Sequence, residues 1–352
     1  MRRIALGAIC VALACHGNSH WTDDPSGGAT GPTGGAAVSW PGADDAVAVD
    51  ATGALGTNVS GLTYDPTEAV LWAVRNDPSV LLRLVERNGV WGTDPSATWL
   101  SGRTLRYPDN SGGPDAEGVT VTSAGAAGGV YVAAERDNNA SNVSRNSVLR
   151  YDISQSGSTL RATHEWAVGT ALPSTPANTG IEAISWIPDS ALTANGLLDV
   201  TTGQPYQPAA YPSHGNGLFV VGLEANGSVY LFALNHATSG ATLIASAASG
   251  LSAVMGMEYD TASGQLWVTC DNGCANHLAV LGFGTGTTRG RLVAEHEYLP
   301  PSSLPNTNNE GFAFAPASAC ANGRRSAFWV DDSNAGDHVL RRASRNCAVT
   351  GR

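Results

Sequence analysis

Short apolar runs alternate with turn-forming residues along most of the chain. Residues 70–74 and 80–85, for example, flank the turn Asn76-Asp77-Pro78. Runs of this length, rich in Val, Leu and aromatic residues and bounded by Gly, Pro, Asn or Asp, predict β-strands. Helical periodicity is absent from the pattern, which disfavours an α/β arrangement. The sequence therefore predicts an all-β fold.

One motif opens the first strand of each predicted repeat. It places an acidic residue and a small residue before an apolar run, with two degenerate copies that lack the acid. The copies are Ser60-Gly61, Glu117-Gly118, Glu182-Ala183, Met255-Gly256 and Glu310-Gly311. They lie 55 to 73 residues apart, and the pattern places up to four short strands in each repeat. Such a period predicts the blades of a β-propeller.

The two ends of the repeat series predict how the propeller closes. The last repeat has only three strands, and residues 46–49 form a strand with no partner before it. We expect this N-terminal strand to complete the last blade of a five-bladed propeller that spans residues 38–352. A sixth blade is the alternative, and it could lie only in the insertion that follows the first strand of the third repeat.

Composition narrows the class of ligand. Charged residues make up 14% of the 352 residues, the net charge is -11, and every basic residue is an arginine. A chain without a basic surface cannot neutralise phosphates, so we expect no nucleic-acid partner. Small cations are the more natural ligands of an acidic surface. We expect a monomer whose protein or small-molecule ligand the sequence does not identify.

The N-terminus has the features of a targeting segment. Arg2 and Arg3 precede an apolar stretch too short to span a bilayer, which predicts a signal peptide over residues 1–14. Cys15 follows a small-x-small site and is the predicted lipidation site of a bacterial lipoprotein. Residues 15–37 then form a flexible linker. The alternative is a secreted or periplasmic protein without an anchor, and the only membrane contact that we expect is a lipid anchor.

Export makes the remaining cysteines candidates for disulfides. Strands alternate in direction within a blade, so the ends of its first and third strands share a face. Cys320 follows the first strand of the last blade and Cys347 follows the third, whereas Cys270 and Cys274 bracket one turn on the other face. We therefore predict the pairs Cys270–Cys274 and Cys320–Cys347. A four-cysteine zinc site is disfavoured because the pairs lie on opposite faces.

The same geometry predicts a ring of carboxylates at one mouth of the channel. Glu117, Glu182 and Glu310 stand at the start of innermost strands, while Glu135 and Glu224 stand at the ends of second strands. Further acids at the ends of second strands are Asp77, Asp271, Asp331 and Asp332. The only basic residues near this rim are Arg75 and Arg136. Clustered carboxylates must be protonated, paired or bound to a cation, and oxygen-only ligation suits Ca²⁺. The alternative is that each acid caps its strand or bonds to a neighbouring blade.

The repeats resemble a known family. Ser60-Gly61-Leu62-Thr63-Tyr64-Asp65, Glu117-Gly118-Val119 with the turn Glu135-Arg136, and Glu310-Gly311-Phe312 are similar to the SdiA-regulated (YjiK-like) family. The resemblance covers about residues 55 to 345. It implies a five-bladed propeller related to NHL repeats, with a calcium site and no established biochemical role. Glu182-Ala183 and Met255 depart from the family pattern.

Two functions from different classes follow. The first is an exported, calcium-binding propeller of the cell envelope that acts as a binding or scaffold protein. The alternative is a calcium-dependent hydrolase, similar to phytases, esterase-like phytases or lactonases, acting at the acidic mouth. The sequence has no Gly-x-Ser-x-Gly motif and no recognisable Ser/His/Asp set, so no catalytic residue is identified and the enzyme question stays open.

Overall fold

The computed structural model describes residues 36–347, and the predicted signal peptide and Cys15 lie outside them. The fold is all-β and consists of several sheets, as the sequence predicts. It begins with the short strand β1 (Val47–Ala48). None of the helices in residues 36–347 is long and apolar enough to cross a membrane.

The next strands form a nine-stranded double sheet made of two meanders. Its strands are β2 (Val59–Asp65), β3 (Val70–Arg75), β4 (Val80–Arg87), β5 (Val90–Thr93), β6 (Arg103–Arg106), β7 (Pro114–Val121), β8 (Val130–Asp137), β9 (Ser144–Tyr151) and β10 (Thr159–Ala167). The outer strands β6 and β10 pair in parallel and join the two meanders, with Thr104 opposite Thr159. Strand β5, which the sequence pattern did not predict, extends the outer edge of β4.

The third and fourth repeats each form a further four-stranded sheet. The third-repeat sheet contains β11 (Ile181–Pro188), β14 (Gly217–Leu223), β15 (Ser228–Leu234) and β16 (Ala241–Ala248). Its insertion holds helix α1 (Asp189–Ala194) and the hairpin of β12 (Leu198–Asp199) and β13 (Gln204–Pro205). The fourth-repeat sheet contains β17 (Gly256–Asp260), β18 (Gln265–Thr269), β19 (Leu278–Phe283) and β20 (Leu292–Tyr298). The sequence pattern did not predict helix α1, because six residues are too few to show helical periodicity.

The closing sheet joins the two ends of the described chain. It contains β21 (Asn309–Phe314), β22 (Arg324–Asp331) and β23 (Leu340–Asn346), and β1 is its fourth strand. Strand β1 pairs antiparallel with β23, so that Val47 lies opposite Arg342. The N-terminal strand is therefore in the sheet where the sequence placed it.

The first strands of the repeats lie side by side around the centre of the molecule. Strand β2 contacts β7, β7 contacts β11, β11 contacts β17, β17 contacts β21, and β21 contacts β2. We call these five the inner strands. The glycine of the motif makes this close approach possible. A Cβ on Gly118 would lie 2.8 Å from the backbone nitrogen of Ile184, and one on Gly311 would lie 2.7 Å from the carbonyl oxygen of Ser60.

The core lies between the sheets. Apolar side chains from neighbouring sheets pack together, and Trp72, Trp267 and Trp329 of the second strands are fully buried, as the sequence predicts. Large rings on flat strands bury much apolar area at small entropic cost, which stabilises contacts between sheets.

Both predicted cysteine pairs are at disulfide distance. The Cα atoms of Cys270 and Cys274 lie 6.0 Å apart, and those of Cys320 and Cys347 lie 6.1 Å apart. Cys270, Asp271 and Cys274 are also close enough together to suggest a metal site, but paired sulfurs are not free to ligate an ion. Disulfides are compatible with an exported protein.

Candidate metal centre

Four of the five motif copies coincide with a β-bulge. The register between β7 and β8 shifts at Glu117, that between β11 and β14 at Glu182, and that between β21 and β22 at Glu310. Strand β2 has the same irregularity at Ser60. A bulge adds one residue to a strand and re-aims its side chain. The motif thus combines an acid on a bulge with a small residue that packs against the next inner strand.

The bulged glutamates are buried. Glu117, Glu182 and Glu310 are 5%, 6% and 8% exposed. Burial raises the pKa of Glu117 well above its ordinary value, and the charges of Asp115, Glu310 and Glu135 add to this effect. The pKa of Glu182 rises for the same reasons, first burial and then the charges of Glu117, Glu135 and Glu310. The acids of different inner strands therefore act on one another.

The tightest group contains an acid that the sequence analysis missed as a ligand. Carboxylate oxygens of Asp115, Glu117 and Glu135 all lie within 4.8 Å of one another. Asp115 is 1% exposed and lies on a second irregularity of β7. Its position in the motif, two residues before Glu117, was the available signal. Burial raises the pKa of Asp115, which Arg136 partly offsets.

Glu135 and Glu310 each have one fixed oxygen. Glu135 accepts a hydrogen bond from the backbone N–H of Gly180 at 2.9 Å, and burial raises its pKa to about 7. Asn308 donates to Oε1 of Glu310 at 2.8 Å, while Oε2 of Glu310 is buried without a hydrogen-bond partner in the protein. Burial and the nearby charge of Asp332 raise the pKa of Glu310 to about 8.

Two acids lie at the edge of this set. Glu224 is half-buried, and its pKa is raised by burial and by the charge of Asp271. It lies outside the tight group of Asp115, Glu117 and Glu135. Asp332, which the sequence placed on the rim without naming it a ligand, has a raised pKa because of its burial. Asn308 connects it to Glu310, with 3.4 Å between Nδ2 and Oδ2 of Asp332.

Positive charge near the acids is scarce. Nε of Arg136 lies 2.5 Å from Oδ2 of Asp115, without hydrogen-bond geometry, and Nη1 lies 3.5 Å from Oε1 of Glu135. Arg75 instead donates to the carbonyl oxygen of Leu55 at 2.6 Å and forms no ion pair within residues 36–347. One arginine therefore faces several buried acids. We call the set of Asp115, Glu117, Glu135, Glu182 and Glu310 the carboxylate group.

The donor set of this group fits a hard cation. Oε2 of Glu310 is buried without a hydrogen-bond partner, and so is Oδ1 of Asn76. Nδ2 of Asn76 lies 3.4 Å from both oxygens of Glu117. The group contains only oxygen donors. Carboxylates and amide carbonyls are the ligands that Ca²⁺ takes, whereas zinc and redox metals favour nitrogen and sulfur.

A family comparison agrees with the motif. The model of SdiA-regulated proteins matches residues 44–193, which contain Glu117, Glu135 and Glu182. Residues 44–193 match the SdiA-regulated family. The resemblance read from the motifs is thereby confirmed over this part of the chain. No curated protein matches the sequence of this chain.

The solved structures similar to this chain are distant. A nidogen/laminin complex is 11% identical over 81% of this chain and 83% of its own, with a TM-score of 0.37. The major allergen Mala s 1 of Malassezia sympodialis is 9% identical over 88% of this chain and 98% of its own, with a TM-score of 0.45. Saccharomyces cerevisiae Sqt1 is 11% identical over 86% of this chain and 99% of its own, with a TM-score of 0.37. Because all three TM-scores are low, no conclusion on blade number or function is drawn from them.

Proposed function

We propose that this protein is an exported, calcium-binding β-propeller of the cell envelope that serves as a binding or scaffold protein. The observation that carries the calcium site is the imbalance of charge in the carboxylate group. Five buried acids face one arginine, and Oε2 of Glu310 has neither a hydrogen-bond partner nor an ion pair within residues 36–347. Buried charges of one sign are held only by protons or by a counter-ion.

A bound cation would remove this imbalance. Asp115, Glu117 and Glu135 would supply the nearest oxygens, and Glu182 and Glu310 would complete the negative field around them. A divalent oxygen-seeking ion offsets two charges at once, and Ca²⁺ accepts the irregular geometry that side chains from different strands provide. The ion would hold several inner strands together at the centre of the molecule.

The space beside the acids favours a binding role over hydrolysis. The cavity lined by Glu117 and Glu182 has a volume of about 10 Å³, and Leu62, Ile184 and Phe312 are among its other lining residues. That volume suits a single water molecule or a small ion, with no room for an organic substrate. Hydrolysis at this mouth is therefore the weaker candidate, and a screen of lactones, esters and phosphomonoesters with added calcium tests it.

Calcium titration of metal-free protein tests the site. Isothermal titration calorimetry of the wild type is expected to show binding, which Glu117→Gln, Glu182→Gln and Glu310→Gln weaken by about tenfold or more, because each removes a charge from the group. Glu86→Gln is the matched control, because Glu86 is exposed on β4. Equal binding by Glu86→Gln and the three variants, or no binding by the wild type, would exclude the site.

The five-bladed architecture is part of the proposal. The ring of five inner strands supports it, as do the two meanders of the double sheet and the pairing of β1 with β23. Closure by β1 is testable through the opposed residues Val47 and Arg342. The pair Val47→Cys and Arg342→Cys should cross-link on oxidation, whereas Val47→Cys with Arg161→Cys on β10 should not. Failure of the first pair to cross-link would contradict this closure.

Export and anchoring rest on the N-terminal sequence and on the cysteine pairs. Arg2, Arg3 and the apolar stretch to Ala14 supply the signal, and Cys15 supplies the lipid attachment site. Mass spectrometry of protein purified from a bacterial host measures the processed N-terminus. A diacylated Cys15 is the expected result, and the Cys15→Ser variant should be released from membranes. An unprocessed Met1 would rule out export.

A further inference from the structure

One large cavity lies away from the carboxylate group. Its volume is about 530 Å³, and it opens between the double sheet and the third-repeat sheet. The loop that follows β7 and the loop that precedes β14 form its rim. The carboxylate group lies at the beginning of β7, so the cavity is on the opposite face of the molecule. None of the residues that line it belongs to the carboxylate group.

The charge of this cavity is unlike that of the whole protein. The chain has 30 acids and a net charge of -11, yet no aspartate or glutamate is among the described residues that line the cavity. Arg150 lines it and is held in place, with Nη2 donating to the carbonyl of Gly128 at 2.8 Å and Nη1 donating to Oγ1 of Thr163 at 3.1 Å. Arg150 forms no ion pair with any described carboxylate. No described carboxylate oxygen lies within ion-pair distance of this guanidinium, although its charge contributes to the lowered pKa of Asp152 after the hydrogen bonds from Ser154.

The histidines beside Arg150 are fixed by hydrogen bonds. Nδ1 of His236 donates to the carbonyl of Ser213 at 3.0 Å, so Nε2 is left to accept from the hydroxyl of Tyr131 at 2.9 Å. Burial, together with the charges of His164 and Arg150, lowers the pKa of His236, which keeps this ring neutral at pH 7. Nε2 of His164 donates to the carbonyl of His236 at 2.9 Å. Arg150 is thus the permanent charge of the pocket.

One acid lies close to the cavity without lining it. Asp189 does not line the cavity, but its Oδ2 is 3.0 Å from Nε2 of His214, which does. Among the described residues that line the cavity, Arg150 is the one charged side chain apart from the histidines, and Asp189 lies outside the lining.

Part of the remaining wall is aromatic. Trp186 and Phe219 line the cavity, and the ring of Tyr131 packs against Phe219 with 4.3 Å between the centroids. Pockets of this volume bind small organic molecules, whose apolar parts pack on such rings while the polar groups of the pocket set the orientation. A guanidinium with free N–H groups recognises the planar or tetrahedral oxygens of a carboxylate or a phosphate.

We propose that this cavity binds a small organic anion, with a carboxylate or phosphate group against Arg150 and an apolar body against Trp186 and Phe219. The ligand enters between the loops at residues 122–124 and 213–216. This site gives the protein a small-molecule ligand in addition to the cation of the opposite face.

Calorimetry with three probes tests the ligand class. Benzoate and phenyl phosphate are the anionic probes, benzyl alcohol is the neutral one, and EGTA is present throughout so that the result does not depend on calcium. Both anions, or one of them, should bind about tenfold or more tightly than benzyl alcohol. A preference between the anions identifies the acid group. Equal binding of all three probes, or no binding of either anion at millimolar concentration, overturns the proposal.

A negative charge placed on the rim of this cavity tests whether the anion binds there. Ala124 is exposed and lines this cavity, so Ala124→Glu adds a negative charge without disturbing the core, and Ala124→Gln is its neutral control. Anion binding should fall by about tenfold in Ala124→Glu relative to Ala124→Gln. Arg150→Gln should abolish the preference for anions, whereas Arg161→Gln, an exposed arginine outside the cavity, should retain it. Equal affinities in the two Ala124 variants would refute the location.

Discussion

Two sets of acids are buried to the same degree but held in opposite ways. Asp260, at the end of β17, is 3% exposed and accepts hydrogen bonds from Arg325 and from Arg345, the latter at 2.9 Å. Burial raises its pKa, but the two guanidinium groups lower it below the ordinary value. Glu117 in the carboxylate group is 5% exposed, and its pKa is raised well above the ordinary value because it has no such partners.

The difference shows where the chain places its arginines. Asp260 and Asp331 each have a buried arginine, with 3.2 Å between Asp331 and Arg341, so their negative charge is satisfied within the fold. Such pairs are part of the packing of the sheets. The carboxylate group keeps an excess of negative charge instead, which costs stability unless something else binds there. An excess of this kind at one position suggests function rather than packing.

The largest effect is expected when the ion pairs of Asp260 are broken. Asp260→Asn leaves the buried Arg325 and Arg345 without a carboxylate, so the free energy of unfolding should fall by about 3–5 kcal/mol. Urea denaturation measures it. Asp337→Asn, at an exposed aspartate, should change stability by less than about 0.5 kcal/mol. Similar values for the two variants would show that the arginines do not depend on Asp260.

The next largest effect concerns the pH dependence of the metal-free protein. Burial raises the pKa of Glu135 to about 7 and that of Glu310 to about 8, so the folded state keeps protons that the unfolded chain has released. A raised pKa stabilises the fold at low pH, and this contribution is lost as the pH rises through the folded-state values. Unfolding free energy in EGTA should therefore fall by about 3–4 kcal/mol between pH 6 and pH 8.

Calcium should remove most of that loss. The ion replaces the protons of the carboxylate group, so the free energy of unfolding in calcium should be nearly constant over the same pH range. Denaturation curves at several pH values, with EGTA or with calcium, make the comparison. Parallel curves in the two buffers would mean that protons and calcium do not compete for one site.

The effect of Glu310→Gln on the free energy of unfolding is smaller, and its sign should change when calcium is added. Glu310→Gln removes a charge that is buried without compensation, so in EGTA at pH 8 it should stabilise the protein by about 1–2 kcal/mol. In calcium the same variant should be less stable than the wild type, because a charge that supports the ion is missing. Glu86→Gln serves as the exposed control and should behave alike in both buffers. A variant that is destabilised equally in both would assign Glu310 a packing role.

The smallest effect separates the centre of the group from its edge. Glu224 is half-buried and lies outside the tight group, so Glu224→Gln should change stability by less than about 0.5 kcal/mol in either buffer. The calcium affinity should likewise change by less than about threefold. A loss as large as that of Glu117→Gln would place Glu224 among the ligands.

Much of the fold was predictable because it depends on short-range pattern. Alternating apolar residues and turn residues predicted the inner strands, and the missing fourth strand of the last repeat predicted the pairing of β1 with β23. Strand β5 and helix α1 were not predicted, since four and six residues carry too little periodicity. Both lie outside the ring of inner strands.

The candidate site was predictable only in part. The position of Glu117, Glu182 and Glu310 at the start of the inner strands follows from the motif, but the bulges that re-aim them do not. Asp115 was missed because the sequence pattern placed the start of this strand at Glu117, whereas β7 begins at Pro114 and includes Asp115 beside Glu117. The anion cavity was also missed, since it joins residues from two sheets that are far apart in sequence.

The most direct test of the central claim is the melting temperature of metal-free protein at pH 8, measured by calorimetry in EGTA and then with calcium in excess. Because the pKa of Glu135 is about 7 and that of Glu310 about 8, these acids hold fewer protons at pH 8 than at pH 5, so a counter-ion has a larger effect there. A rise of several degrees with calcium is expected at pH 8, and a smaller rise at pH 5. Identical melting temperatures in the two buffers at pH 8 would contradict it.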